Sequence, residues 1–160
     1  MDIRIIKANY LNPGQARDIE YLLSCYASDI MGGGVALNEN ILKNVAVELS
    51  KRPYAFSVIA YVEGKAAGLI NCFEAFSTFQ CRPLVNIHDV VVISEYRRIG
   101  LAQSMLSKVE EIAKEKGCCK LTLEVLEGNQ VAQQAYRKHG FTGYELDPKM
   151  GKALFWEKSI

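Results

Sequence analysis

The stretch Asp89-Val-Val-Val-Ile-Ser-Glu-Tyr-Arg-Arg-Ile-Gly-Leu-Ala102 decides the fold that we predict for this chain. Its β-branched residues predict a strand that ends in a short polar turn. From Leu101 onward, apolar residues recur at helical spacing, and Gly100 stands just before them. A glycine-containing loop between a strand and a helix presents unpaired backbone N–H groups and the positive end of the helix dipole. We therefore predict that this loop binds a diphosphate group.

The composition indicates one globular domain over residues 1–160. Hydrophobic residues make up 49% of the chain and charged residues 23%, as in ordinary globular proteins. The net charge of +1 argues against a nucleic acid or a membrane surface as partner, because proteins that bind them usually carry a strong basic excess. No apolar run reaches the ~20 residues that cross a bilayer, and the first residues lack the order of a signal peptide. We expect a cytoplasmic protein, and its five cysteines, without Cys-x-x-Cys spacing, predict neither disulfides nor a metal site.

Hydrophobic periodicity predicts an α/β fold with a mixed sheet. Helices are expected to begin at Asn12-Pro13, Asn38, Leu101 and Asn129, where capping residues precede apolar faces. The expected strands cover residues 3–7, 55–62, 66–76, 84–93, 120–126, 141–146 and 154–158. The strands on either side of the Leu101 helix should pair in parallel through a right-handed crossover.

Two segments resemble the signatures of the GNAT acetyltransferase superfamily. The first is Arg97-x-x-Gly100-x-Ala102, and the second runs from Leu123-Glu-Val-Leu-Glu-Gly-Asn129 to Ala135-Tyr-Arg-Lys-His-Gly-Phe141. The ending Leu154-Phe-Trp-Glu-Lys158 is similar to that of many small members, and Phe73–Phe79 resembles the diamine and thialysine acetyltransferases. The resemblance implies a GNAT fold, with about seven strands and about four helices, whose fourth and fifth strands splay around acyl-CoA.

The resemblance also implies acetyl-CoA as co-substrate, with its pantetheine arm paired to residues 90–92 and its diphosphate on the amides of residues 98–103. Arg97 either braces this loop or contacts phosphate, and Asn129 either caps its helix alone or also contacts CoA. Arg98 stands where the family often has glycine, so the loop should differ slightly there or the charge should meet a CoA phosphate. The expected donor-site residues are Val90, Val91, Val92, Arg97, Arg98, Ile99, Gly100, Leu101, Ala102, Gln103, Asn129 and Tyr136.

Three side chains are candidates for catalysis: Tyr136, His88 and Asp89. Acetyl transfer requires the amine to lose a proton, and the departing thiolate benefits from gaining one. Tyr136 matches the family's catalytic tyrosine and would protonate the thiolate; the alternative is a half-buried aromatic on an amphipathic helix. His88 and Asp89, as neighbours on a strand, should point to opposite faces. Similarity to the diamine acetyltransferases favours His88 as the inward base and leaves Asp89 to fix the strand or attract a cationic amine.

The expected acceptor is the primary amine of a small molecule that attacks the thioester directly. Gly32-Gly33-Gly34 resembles the connection that bounds the acceptor site in the family, and Glu74 would draw in a cation. Acetylation of a protein N-terminus or lysine, a nucleophilic Cys118 or Cys119, and an acyl-CoA-binding regulatory module without turnover remain open alternatives. The resemblance also allows a homodimer, formed through the closing strands or through residues 73–79.

Overall fold

The computed structural model describes residues 1–160 as a five-stranded sheet flanked by four helices. The strands lie in the order β1-β2-β3-β4-β5, and neighbouring strands are antiparallel except β4 and β5. These two strands are parallel and are connected in the chain through α3. In chain order the elements are β1 (Ile3–Lys7), α1 (Pro13–Ser28), α2 (Glu39–Ser50), β2 (Ala55–Val62), β3 (Lys65–Ser77), β4 (Arg82–Val92), α3 (Leu101–Glu115), β5 (Leu121–Leu123) and α4 (Gln130–Lys138). None of the four helices is both long enough and apolar enough to span a bilayer.

Asparagine side chains define the starts of three helices. Asn12 Oδ1 accepts the Gln15 N–H at 3.1 Å, and Asn38 Oδ1 accepts the Asn40 N–H at 2.8 Å. At α4, Asn129 Oδ1 accepts the backbone N–H three residues ahead at 3.1 Å. Each contact satisfies an amide that the first turn of a helix leaves without a partner. These caps confirm the predicted starts of α1, α2 and α4.

Helices cover both faces of the sheet. On the α3 face, Met105, Leu106 and Val109 pack against apolar side chains of the central strands. On the α1 face, Ile19 and Leu22 pack against a second set of strand residues. The central strands therefore consist of nearly continuous apolar runs rather than of alternating ones, because both of their faces are buried.

A β-bulge interrupts the ladder between β3 and β4. Asn71 pairs with Asp89 and Cys72 pairs with Ile87, which leaves His88 as an extra residue in β4. The bulge shifts the alternation of β4 by one residue. Ile87 belongs to the core on the α3 face, whereas Val91, at an even spacing from it, packs on the α1 face.

The closing part of the chain differs from the prediction. The expected strands 141–146 and 154–158 do not form, and a single bridge between Glu145 and Lys152 is the only pairing there. The expected strand 120–126 is shortened to three residues. Strand-like composition produces a strand only where the backbone pairs with a neighbour, and residues 141–160 lie on no edge of their own sheet. The sheet therefore has five strands rather than about seven, within the fold that was predicted.

Candidate active site

The parallel strands β4 and β5 separate near the residues expected to act in catalysis. Their pairing runs from Val85–Leu121 to Ile87–Leu123 and goes no further. Beyond it, β4 continues to Val92 with a strand partner only on the β3 side. The opening between the strands, called the wedge below, therefore exposes a strand edge. Such an edge can pair with an extended molecule that carries amide groups.

The loop before α3 leaves its amides free. Gly100 is the N-cap residue of α3, has φ of 83° and offers no side-chain cap to the first turn. Arg98 also has positive φ, 68°, although it is not glycine. Arg98 thus adopts the backbone conformation that glycine favours. The first-turn N–H groups of α3 are available to an anion at the positive end of the helix dipole.

Arg97 braces this loop. Its Nε donates to the Val92 carbonyl at 3.0 Å, and its Nη2 donates to Asp29 Oδ2 at 2.9 Å. The pKa of Asp29 is lowered, first by the Met31 backbone N–H and then by the Arg97 guanidinium. Of the two roles expected for Arg97, these contacts favour bracing over a contact with phosphate.

Two further donor-site residues hold α4 in place. Gln103 Nε2 donates to the Ala135 carbonyl at 2.8 Å, and its Oε1 lies 3.3 Å from His139 Nδ1. Asn129 Oδ1 accepts the capping bond of α4, and a further contact of this side chain with CoA stays a prediction. Together these contacts join the start of α3 to α4, so the loop that would bind the diphosphate and the helix that carries Tyr136 form one unit.

Tyr136 is half-buried against the core of the α3 face. Its ring meets Phe141 edge-on at 5.9 Å between centroids. Burial raises the pKa of the Tyr136 phenol to about 12, and the neighbouring Tyr26 contributes to this rise. The phenol therefore keeps its proton at neutral pH and is able to donate it.

The bulge corrects the prediction for His88 and Asp89, which do not point to opposite faces. Asp89 Oδ2 accepts from Asn71 Nδ2 at 3.0 Å, and the His88 ring meets Phe73 edge-on at 5.4 Å. Asn71 and Phe73 are two residues apart on β3 and share a face, so their partners on β4 share that face as well. Asp89 is the half-buried member of the pair, and His88 is exposed.

Tyr26, in the last turns of α1, was not predicted as a site residue. Burial raises the pKa of its phenol, with further contributions from the charges of Asp89 and Asp29. Its backbone also fixes the glycine loop, because a Cβ at Gly32 would lie 2.0 Å from the Tyr26 carbonyl oxygen. In the sequence, Tyr26 follows the apolar spacing of α1, and no signal separates it from the packing residues of that helix.

Other side chains expected near the acceptor are engaged elsewhere. Glu74 pairs with Lys116 at 3.1 Å, so its carboxylate already has a cationic partner. Burial raises the pKa of the Cys118 thiol, which disfavours the thiolate that a nucleophile needs. All five cysteines are free thiols.

Comparison with known proteins agrees with this geometry. Residues 26–141 match the family described as "Acetyltransferase (GNAT) family". The chain belongs to this family. The Thialysine N-epsilon-acetyltransferase of Bos taurus is 36% identical over 68 residues, which are 42% of this chain and 39% of that protein. A putative [ribosomal protein bS18]-alanine N-acetyltransferase of Bacillus subtilis is 30% identical over 93 residues, 58% of each protein. The matched segments thus cover about half the length of these curated relatives.

A solved structure with the same fold is aminoglycoside acetyltransferase AAC(6')-Iy, in complex with the bisubstrate analogue CoA-S-monomethyl-acetylneamine. It shares a TM-score of 0.78 with this chain, covers 100% of both chains and is 17% identical in sequence. This agreement confirms the GNAT fold predicted from the two signature segments.

Proposed function

We propose that this protein is an acyltransferase that moves an acetyl group from acetyl-CoA to the primary amine of a small molecule. The observation that carries the proposal is the wedge, which opens beside the uncapped N-terminus of α3. The strand edge supplies partners for the amides of pantetheine, and the helix N-terminus supplies N–H donors for the diphosphate. The residues present therefore fit acyl-CoA at both ends of its extended arm.

The side chains around the wedge fit the chemistry of acetyl transfer. The deprotonated amine attacks the thioester carbon, and a backbone N–H within residues 90–92 stabilises the oxyanion that forms. The carbon–sulfur bond then breaks, and the Tyr136 phenol donates its proton to the departing thiolate. Before the attack, Asp89 or His88 takes one proton from the ammonium, either directly or through a water molecule. The second nitrogen proton is lost as the amide forms, and it restores the Tyr136 phenol.

A small cationic amine fits the surroundings better than a polypeptide does. Asp89 and Tyr26 place a carboxylate and a phenol on the α1 face, and both can bind an alkylammonium. The relatives' names include both possibilities, thialysine and the alanine of a ribosomal protein. We favour the small amine. Acetylation of a protein N-terminus is the second candidate, because the Bacillus subtilis relative matches this chain over 93 residues and the Bos taurus relative over 68.

Direct attack by the amine is part of the proposal. A covalent acetyl-enzyme would need a cysteine thiolate, and burial opposes ionisation of Cys118. A double variant, Cys118→Ala with Cys119→Ala, should therefore keep its turnover. Loss of turnover in a variant that still folds would favour a covalent route.

A thiol-release screen tests the function. The protein is mixed with acetyl-CoA and with thialysine, diamines, polyamines, aminoglycosides or short peptides, and free CoA thiol is measured. We expect release with small primary amines and none with N-terminally blocked peptides that lack lysine. Thiol release only with peptides that have a free N-terminus would favour the second candidate. If none of the amines causes thiol release, a binding module without turnover is favoured.

We also propose that two copies of the chain associate through the closing segment, residues 141–160. Leu154, Phe155 and Trp156 are 75%, 72% and 82% exposed, which is unusual for three consecutive large apolar residues. The same chain presents an open sheet edge at β5, which pairs only with β4. Exchange of this segment between two copies would cover both features at once, in a symmetric arrangement.

A further inference from the structure

A row of polar residues crosses the sheet and ends at Asp89. Ser57 on β2 pairs with Asn71 on β3, and Asn71 pairs with Asp89 on β4, so the three lie directly opposite one another. Ser57 is fully buried and Asn71 is 3% exposed. Tyr10, in the segment before α1, covers the outer end of the row with its hydroxyl 2.8 Å from Ser57 Oγ. We call these four residues the polar row.

The polar row is an exception on its face of the sheet. The next row on the same α1 face consists of Ile59, Leu69 and Val91, which are fully or almost fully buried and apolar. Burying an amide and a hydroxyl costs free energy unless both are hydrogen-bonded, and apolar side chains of similar shape can be as stable in such places. Packing alone therefore does not require polar residues at these positions.

The hydrogen bonds of the polar row have one direction. The Asp89 carboxylate accepts from Asn71 Nδ2 at 3.0 Å, which fixes the orientation of the amide. Asn71 Oδ1 then accepts the only hydroxyl proton of Ser57 at 2.6 Å. Since that proton is used, the Tyr10 hydroxyl donates to Ser57 Oγ. Every donor in the row thus points toward Asp89.

We propose that Asn71 and Ser57 are positioning residues for Asp89, and that Tyr10 supports them. Asn71 holds one carboxylate oxygen, Oδ2, and thereby fixes the rotation of the carboxylate. The second oxygen, Oδ1, stays free to bind the ammonium group of the acceptor and to take its proton. This inference rests on the proposed function and assigns the contact with the amine to Asp89 rather than to the exposed His88.

Steady-state kinetics of the full chain tests the proposal. The acceptor is thialysine, or another amine of the thiol-release screen if the protein acetylates that amine faster. Asn71→Leu should lower kcat about 10- to 100-fold, because a carboxylate displaced by a fraction of an ångström no longer aligns with the amine. The KM for acetyl-CoA should stay within about twofold, since Asn71 lies on β3, on the side of β4 that faces away from the wedge. Asp89→Asn should lower kcat at least as far as Asn71→Leu.

Smaller changes keep the test valid if Asn71→Leu fails to fold. Ser57→Ala should lower kcat more than Tyr10→Phe does. Ser57→Thr keeps the hydroxyl and should therefore keep most of the wild-type kcat. Combining Ser57→Ala with Asn71→Leu should cost no more than Asn71→Leu alone, because both changes break one chain of hydrogen bonds. Tyr61→Phe is the matched control, since it removes a 2.6 Å hydrogen bond to Asp18 on the same face but outside the row.

The outcomes separate the two proposals. If the wild-type chain releases thiol and folded Asn71→Leu or Ser57→Ala keeps kcat within about twofold, the positioning role is wrong while the proposed function stands. Equal losses in Tyr61→Phe and Tyr10→Phe would also overturn it, because they would indicate a general effect on folding. If the wild-type chain acetylates no amine, both proposals fall together.

Discussion

Arg97 and Asp29 form an ion pair of 2.9 Å that joins the loop before α3 to the end of α1. Asp29 also accepts the Met31 N–H, so one carboxylate organises the start of the glycine-rich connection and anchors the loop expected to bind diphosphate. The ion pair therefore links the proposed donor and acceptor sides of the site. Binding of acetyl-CoA at the loop should be sensitive to changes on α1.

Asp29→Asn tests this link. The variant should lose about 1 kcal/mol of unfolding free energy or less, because the pair is partly exposed and screened by solvent. The KM for acetyl-CoA should rise several-fold, as the loop loses its brace. Initial rates and thermal unfolding measure the two effects.

The loss in Asp29→Asn should also depend on pH. The folded protein lowers the pKa of Asp29, so the carboxylate contributes stability above its unfolded pKa of about 3.9. That contribution disappears as pH falls through the lower folded value. Wild type and variant should therefore differ near pH 7 and converge in strong acid; a constant difference at all pH values would argue against the ion pair.

Tyr136→Phe tests the role of the phenol. The change removes one oxygen and keeps the ring that packs edge-on against Phe141. We expect kcat to fall about 10²-fold or more, as for loss of a general acid, with little change in the affinity for acetyl-CoA. Kinetics and calorimetric titration separate these effects. An unchanged kcat would leave Tyr136 as a packing residue.

Arg98→Gly tests the backbone of the diphosphate loop. At φ of 68° a residue with a Cβ is strained by roughly 1 kcal/mol, and glycine removes this strain. Part of the gain is lost because glycine gives up more conformational entropy on folding. The variant should therefore be slightly more stable than wild type, and its KM for acetyl-CoA should rise if the guanidinium meets a phosphate. Cys81→Gly is the matched control, because exposed Cys81 has φ of 51° and lies at the far tip of the β3–β4 hairpin. Cys81→Gly should gain stability without any change in the KM for acetyl-CoA. If the KM of this control rises as much as that of Arg98→Gly, a phosphate contact by Arg98 is not the cause of the rise.

Trp156 reports directly on association of two copies, because it is the only tryptophan in the chain. If residues 141–160 dock on a second copy, the Trp156 emission should move to shorter wavelength as protein concentration rises and return on dilution. Light scattering should show twice the chain mass over the same range. A blue-shifted emission that is independent of concentration would indicate docking within one chain, and emission typical of exposed tryptophan at all concentrations would exclude both.

Local chemistry made much of the fold predictable. The asparagine caps and the glycine before α3 each restrict the backbone over a few residues, and the structure has all of them where the sequence places them. The splay of β4 and β5 was also expected, through the resemblance to the GNAT family. The cytoplasmic location stays a prediction from sequence.

Features that depend on pairing between distant residues were not predictable. The bulge at His88 follows from the register of β3 against β4, and no periodicity in β4 alone announces it. The same holds for the polar row, since Ser57, Asn71 and Asp89 are far apart in the chain and become neighbours only in the sheet. The closing strands failed for a related reason, because their composition is strand-like but their partners are missing.

Calorimetric titration of the wild-type chain with acetyl-CoA tests the central claim most directly, namely that the wedge and the N-terminus of α3 together bind an acyl-CoA. We predict saturable binding of one acetyl-CoA per chain, weakened when Gly100 is replaced by a residue that cannot adopt its φ of 83°. Absence of heat and of any rise in melting temperature at millimolar acetyl-CoA would contradict the claim.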